Sequence, residues 1–180
     1  MGRIVANFFI SLDGVVESPD QWHFQYFNDE MGEAIGGGMA TTDAFLMGRV
    51  LYSEWSEYWP GKDDDFGGFI NPIPKYVISD SLTEATWQNT TLIRGAEAAT
   101  AVRKLKEATA RDISMSGSAT IVRWLLANGL LDELRLLVHP IAVGRGQRLF
   151  TDVHQPLTLV ASNTFSTGVL DLTYAPAAAG

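Results

Sequence analysis

The chain contains no cysteine, which removes disulfides, thiolate metal ligation and thiol nucleophiles from its chemistry. Histidine is scarce, and the spacing of His23, His139 and His154 fits no metal motif. Cations are also few: 13 Lys and Arg stand against 21 Asp and Glu, a formal charge of -8. So acidic a chain repels polyanions, arguing against nucleic acid and anionic membrane as partners, although two or three placed donors can still hold one phosphate group. Long apolar runs are missing too. The first, Ile4 to Ile10, contains Asn7 and ends at Ser11 and Asp13, too short and polar for a signal peptide or a membrane span, so the cytoplasm is the expected compartment. Neither the nucleophile elbow nor the Rossmann glycine fingerprint occurs, so any dinucleotide site must be of another kind.

What is present is one core's worth of apolar sequence: 180 residues, 46% hydrophobic, without internal repeats. Short β-rich runs at Arg3–Ser11, Ala44–Met47, Tyr76–Ser79, Thr91–Ile93, Ile113–Met115 and Glu133–His139 alternate with helical patterns. Several look apolar on both faces, as in a parallel sheet covered by helices. The periodicity predicts helices over Ala119–Asn128, stopped by Gly129, over Glu97–Ala108, and over Asn28–Ile35, ended by Gly36-Gly37-Gly38. Leu157–Phe165 and Val169–Tyr174 flank Ser166-Thr167-Gly168 as a hairpin. The expected fold is α/β: a mostly parallel sheet closed by an antiparallel C-terminal hairpin, one domain over residues 1–175, with 176–180 an unstructured tail.

Three segments suggest chemistry. In Met115-Ser116-Gly117-Ser118-Ala119-Thr120 a buried strand runs through small residues into the clearest helix, a geometry that offers unpaired N–H groups and a positive dipole end to an anion; an ordinary turn capped by Ser118 is the plainer reading. In Leu46-Met47-Gly48-Arg49-Val50-Leu51-Tyr52 a strand ends in Gly-Arg, and Arg49 could grip a phosphate bidentately, with Ser79 at a neighbouring strand end as a second donor. Ser11-Leu12-Asp13-Gly14 ends the first strand in a carboxylate that orients a ligand or simply makes a turn. Trp22, Tyr26 and Trp55 are aromatics that could sandwich a heterocycle or belong to the core or a dimer contact. Asp63-Asp64-Asp65 reads as a solvated loop.

In order and spacing, Ser11-Leu12-Asp13-Gly14, Met47-Gly48-Arg49, Val77-Ile78-Ser79, Gly117-Ser118-Ala119 and the stretch from Leu131-Asp132-Glu133-Leu134 through His139-Pro140-Ile141 to Gly144-Arg145-Gly146 and Phe150 resemble the dihydrofolate reductase superfamily. The resemblance is greatest to the branch holding the reductase domain of the bifunctional riboflavin-biosynthesis deaminase/reductase, and it covers nearly the whole chain. It implies a three-layer fold that binds NADPH across the carboxyl ends of the strands: Gly48, Arg49 and Leu51 by the adenosine phosphates, Ser79 by the 2′-phosphate, Gly117, Ser118, Ala119 and Thr120 around the pyrophosphate, and the Ala6 backbone, Asp13 and Gly14 near the nicotinamide. Members of the branch are often dimers, so a homodimer is expected. The helical acid that binds the pterin in dihydrofolate reductases has three candidates here, Asp29, Glu30 and Glu33. The zinc-dependent deaminase half is absent, and the aromatic loop after Asp13 differs from the compact riboflavin-type segment.

The implied activity is hydride transfer from NADPH to a small pterin-like or pyrimidine-like heterocycle, such as dihydrofolate or 5-amino-6-(5-phosphoribosylamino)uracil. Asp13 or Glu30 would be the catalytic carboxylate, and Trp22, Tyr26 and Trp55 would line the substrate site. The alternatives are a non-catalytic NADP(H)-binding module of the same fold and a dimeric scaffold that uses its exposed aromatics.

Overall fold

The structure is a computed structural model and describes residues 1–152 and 154–177. Chain order is β1 (Arg3–Ser11), α1 (Asp29–Ala40), β2 (Thr42–Gly48), α2 (Arg49–Tyr58), α3 (Asp65–Ile70), β3 (Lys75–Ile78), β4 (Thr90–Ile93), α4 (Ala98–Ala108), β5 (Asp112–Ser116), α5 (Ala119–Ala127), β6 (Glu133–His139), β7 (Leu157–Thr164) and β8 (Leu170–Pro176). The strands form one sheet in the order β4-β3-β2-β5-β1-β6-β8-β7. Its first six are parallel, and β8 and β7 close it antiparallel. The mostly parallel sheet with its C-terminal hairpin is thus as the sequence predicts.

The two faces of this sheet are built differently, because successive side chains alternate between them. Ile4, Ala6, Phe8 and Ile10 of β1 join Ala44, Leu46, Ile113, Met115, Leu134 and Leu136 on one face, which is sealed by Val102 and Leu105 of α4 and Val122, Leu125 and Leu126 of α5. Each such fully buried aliphatic side chain contributes about 1.5–3 kcal/mol, and this face carries the main core. The opposite face has two separate apolar clusters. Phe45, Met47 and Val77 meet Tyr52 and Ile70 at one end, and Met31, Phe165 and Val169 meet Phe9 and Leu137 at the other. The strip between them is polar.

Three local differences from the sequence reading have clear causes. Helix α1 does not stop at Ile35 but runs through all three glycines to Ala40. Both ends are fastened: the Asn28 side chain accepts the Met31 N–H at 3.0 Å, and the Thr41 and Thr42 hydroxyls donate to the Gly38 carbonyl at 3.1 and 2.7 Å. Asp64, expected in a solvated loop, caps the unforeseen helix α3 by accepting from Gly67 N–H at 2.9 Å. Strand β8 takes in Ala175 and Pro176, opposite Thr158 and Leu157; of the expected tail, 178–180 lie outside the described residues. Lys75 at the start of β3 is fully buried, its ammonium donating to the carbonyls of Ile70, Asn71 and Ile73, each at 2.9 Å, and lying 4.4 Å above the Trp87 ring. Burial lowers its pKa to about 8. Among the described residues no helix is long and apolar enough to cross a membrane.

Gly36 and Gly37 lie inside α1 with open space where a Cβ would stand. Replacing each with alanine is expected to stabilise the protein by roughly 0.5–1 kcal/mol, read as a rise in melting temperature of about 2–4 °C per kcal/mol. A fall would show that the helix needs its glycines in the folded state.

Candidate active site

Where β2 and β5 end, the chain makes a tight joint. Gly117 and Ser118 both take left-handed backbone, at φ +67° and +57°, so that the strand turns into α5 without a spacer. The Leu51 side chain lies 3.5 Å from where a Cβ of Gly117 would be. The Ser118 hydroxyl accepts the Gly48 N–H at 2.9 Å, and a Cβ at Gly48 would sit 2.8 Å from that oxygen, so glycine is required there. Two helix starts, α2 after Gly48 and α5 after Ser118, therefore lie side by side. Their first-turn amides, including those of Ala119 and Thr120, lack intrahelical partners, and both positive dipole ends point out of the strand ends. Arg49 begins α2 and is exposed. At the end of β3 the buried Ser79 hydroxyl accepts the Leu82 N–H at 3.0 Å and keeps its own proton free to donate. Beside it Arg94 donates to the carbonyls of Ser79, Asp80 and Leu82 at 3.2, 3.2 and 2.7 Å, a second cation that the sequence reading passed over. The cluster suits an anionic, phosphate-bearing ligand.

A crevice opens next to this joint. Strands β1 and β5 pair from Arg3↔Asp112 to Asn7↔Ser116 and then part, which leaves Phe8 to Ser11 paired only with β6. This is the place in an open α/β sheet where ligands enter. Ala6 lies before the split, fully buried and flanked by Met115 and Leu134. The free strand edge begins at Phe8, two residues beyond the position carried over from the family.

A cavity of about 750 Å³ lies over the polar strip of the second face. Trp55, Trp59, Phe66 and Phe69 of α2 and α3 with their following loop wall one side; His23, Phe24 and Phe27 wall another; Gly32, Ile35, Gly38 and Met39 of α1 form a roof. Its floor is the sheet itself, with Asn7 and Ser116, Arg135 and Thr173 in register across four strands, and Glu133 and Asp171 flanking them. A charge ladder runs along this face of the sheet to the floor: outside the cavity Asp112 pairs with Arg3 at 2.9 Å and Arg3 with Glu133 at 3.1 Å, and Glu133, which lines the cavity, pairs with Arg135 at 2.5 Å. Next to Arg135 stands Asp171, whose carboxyl is pushed up by burial, an effect the guanidinium opposes in part.

Of the residues expected to bind substrate, Trp55 lines this cavity, 5.5 Å ring to ring from Phe45 and 5.3 Å from Phe66. Trp22 and Tyr26 do not. Their rings turn inward to meet the buried His139 edge-on at 5.2 and 5.6 Å, and Trp22 also donates to the Glu17 carbonyl. His139 donates from Nδ1 to the Leu137 carbonyl at 2.8 Å, and burial lowers its pKa, so a neutral imidazole is part of this packing.

The two expected catalytic carboxylates are occupied elsewhere. Asp13 accepts from the Ser11 hydroxyl at 2.6 Å and from the Val143 and Gly144 amides at 3.0 and 2.8 Å, with Arg148 at 3.7 Å. The Ser11 hydroxyl, then the two amides, hold its pKa down to about 2. These bonds tie the loops after β1 and β6 together. Gly14, at φ +85°, completes the same turn, its carbonyl accepting from Leu149 N–H. Glu30 accepts from Asn28 at 2.7 Å and from the Ser166 amide and hydroxyl at 2.7 and 2.6 Å, tying α1 to the hairpin; the Ser166 hydroxyl is the main cause of its lowered pKa. Asp29 and Glu33 are exposed, and none of the three helical acids lines the cavity, where Gly32 stands instead. The acids that do reach it are Glu133 and Asp171 on the sheet and Asp65 at the start of α3.

Comparison with known proteins agrees with this architecture. The sequence model of the RibD C-terminal domain matches residues 3–170. An uncharacterized protein of Bacillus subtilis (strain 168), YyaP, is 29% identical over 180 residues, covering 96% of this chain and 94% of the relative. Among solved structures, a protein from Shewanella sp. PV-4 named for riboflavin biosynthesis superposes with a TM-score of 0.74 at 17% identity, over 97% of this chain and 99% of the other. Dihydrofolate reductase from Enterococcus faecalis complexed with NADP(H) gives 0.66 at 12% identity, over 97% and 96%. The deaminase/5-amino-6-(5-phosphoribosylamino)uracil reductase of Thermotoga maritima gives 0.69 at 14%, over 98% of this chain and 57% of that one. At such identities the structural likenesses establish the fold.

The anchoring role of Asp13 has a pH signature. Its folded pKa lies below the usual carboxylate value, so its stabilisation is complete above the unfolded pKa of about 4 and disappears as pH falls through the folded value. Asp13→Ala should therefore melt below the wild type at neutral pH, with the gap closing between about pH 4 and pH 2. A gap independent of pH would remove the carboxylate from that role.

Proposed function

The chain belongs to the RibD C-terminal domain family, and on that footing we propose that it is an NADPH-dependent reductase of a small pterin-like or pyrimidine-like heterocycle. The observation that carries this reading is the Gly48–Ser118 hydrogen bond, which brings two helix starts together at the strand ends beside a deep aromatic-walled cavity. The residues present fit the cofactor: Arg49 and Ser79 would take its 2′-phosphate, and the amides around Ser118, Ala119 and Thr120 its pyrophosphate. Gly48 and Gly117 keep that approach free of side chains, with Leu51 behind them. Bound there, the nicotinamide would supply hydride to a C=N or C=O bond. Trp55 and its aromatic neighbours would exclude water and stack on a flat substrate, while the sheet floor fixes the substrate's polar edge. The second reading, a module that binds NADP(H) without turnover, draws on the commitment of Asp13 and Glu30 to structural bonds.

Titration of tryptophan fluorescence with NADPH and NADH tests the cofactor assignment. NADPH should bind more tightly, and Arg49→Ala should weaken it about tenfold, near 1.4 kcal/mol, while NADH affinity changes less than twofold. Equal binding of the two nucleotides by the wild type would defeat the assignment. NADPH bound but never consumed across dihydrofolate, dihydropterins and the riboflavin-pathway aminouracil would favour the module.

A homodimer is part of the proposal. β7 is an edge strand that leaves Leu159 and Val160 52% and 60% exposed, and an apolar open edge favours pairing with a second copy. Sedimentation velocity should find a dimer, converted to monomer by Leu159→Lys with Val160→Lys; a monomeric wild type would overturn this.

A further inference from the structure

A sheet face beneath helices is normally apolar, yet here its centre carries charged and hydroxyl side chains in a cavity. These side chains differ in what they have left to offer. Glu133 has both oxygens engaged, one by Arg135 Nε and one by Arg3 Nη1. Arg135 therefore keeps its terminal amino groups free of hydrogen bonds to described residues, and it lines the cavity beside Gly38 of α1, where a Cβ would come to 3.8 Å from Nη1. Asp171 sits one step along β8 from Thr173, the register partner of Arg135. Its carboxyl receives no hydrogen bond from any described residue, which is an unfavourable state for a half-buried acid until a ligand brings a donor. The terminal amino groups of Arg135 and the Asp171 carboxyl thus stand near each other with no hydrogen-bond partner among the described residues.

From this juxtaposition we propose that Arg135 and Asp171 are the specificity-determining pair of the cavity, taking the C(=O)–N–H edge of an uncharged planar heterocycle and rejecting phosphorylated ones. Arg135 donates to the ligand carbonyl and Asp171 accepts the ring N–H. Trp55 and Phe66, set edge to face, supply an aromatic wall for such a ring to pack against. Rejection follows from charge. Among the residues lining the cavity three acids, Asp65, Glu133 and Asp171, outweigh one arginine, Arg135, whose guanidinium is already compensated by Glu133. A phosphate dianion placed there meets an acidic field and no uncommitted cation.

The proposal rests on the reductase reading for its substrate, but its test is independent of the cofactor. Isothermal titration calorimetry without nucleotide uses pterin, and 5-amino-6-ribitylaminouracil with and without its 5′-phosphate. The wild type should bind both uncharged probes, and the phosphorylated one at least tenfold more weakly. Asp171→Leu and Arg135→Leu should each lower pterin affinity at least tenfold, and Asp171→Asn, which keeps an acceptor oxygen, by less. Melting curves check folding, and if the Leu variants fail to fold, Asp171→Asn and Arg135→Lys are read instead, each weakening pterin more than twofold. NADPH titrations of the same variants should stay within twofold of the wild type; failure of NADPH to bind any form would end the cofactor reading and leave the pterin result standing. The proposal is overturned if the variants bind pterin as the wild type does, if the wild type binds neither uncharged probe, or if the phosphorylated probe binds more tightly.

Discussion

A single hydrogen bond, Gly48 N–H to the Ser118 hydroxyl at 2.9 Å, holds together the joint on which the proposed cofactor site depends. Without it α2 and α5 would be two unrelated helices following two parallel strands. With it their positive ends form one field. Because a Cβ at Gly48 would meet the same oxygen at 2.8 Å, and because Ser118 is held at φ +57°, the contact tolerates little change in either partner. Single left-handed residues of this kind cost of order 1–3 kcal/mol, so the surrounding core must hold the turn in place.

That support comes from the unequal division of the sheet. The face under α4 and α5 is sealed with aliphatic side chains and fixes where β5 ends and α5 begins. The other face is freed from carrying the whole core. Its two apolar clusters attach α2 and α3 at one end and α1 at the other, and the polar strip between them becomes the floor of a cavity. The main core and the cavity thus occupy opposite sides of the same strands, in residues that alternate along the chain.

The same alternation explains what was legible in the sequence. β1 and β6 were readable end to end, since their apolar runs begin and stop abruptly, and the Gly117-Ser118 joint showed itself as small residues between a strand and a strong helix. The floor was overlooked although its signal is present: Ser114 and Ser116, Glu133 and Arg135, and Asp171 and Thr173 are polar pairs two residues apart in otherwise largely apolar runs. Each pair has the strand period, and only the order of strands in the sheet brings them onto one surface. Trp22 and Tyr26 misled for the opposite reason. An aromatic-rich loop looks the same in sequence whether its rings line a cleft or pack on a buried histidine, and His139 lies more than a hundred residues away. The glycine run in α1 misled because propensity was weighed without the caps on Asn28 and Gly38 that secure both helix ends.

The acids show how position in the fold assigns roles that residue type leaves open. Asp13 and Glu30 stand at the turn and on the helix where a reductase of this superfamily would be expected to use a carboxylate, and each accepts from hydroxyl and amide donors that lower its pKa, Glu30 through a single oxygen. Asp171 lacks such donors, lies in the cavity and is shifted in the opposite direction by burial. It comes from the antiparallel hairpin, whose turn also holds Glu30 through Ser166 and whose Phe165 and Val169 pack on Met31 of α1. The hairpin therefore does more than close the sheet. It supplies part of the floor of the cavity and at the same time fixes the N-terminal end of the helix that roofs it, so any displacement of β8 changes both the ligand's polar partners and the height of the space above them.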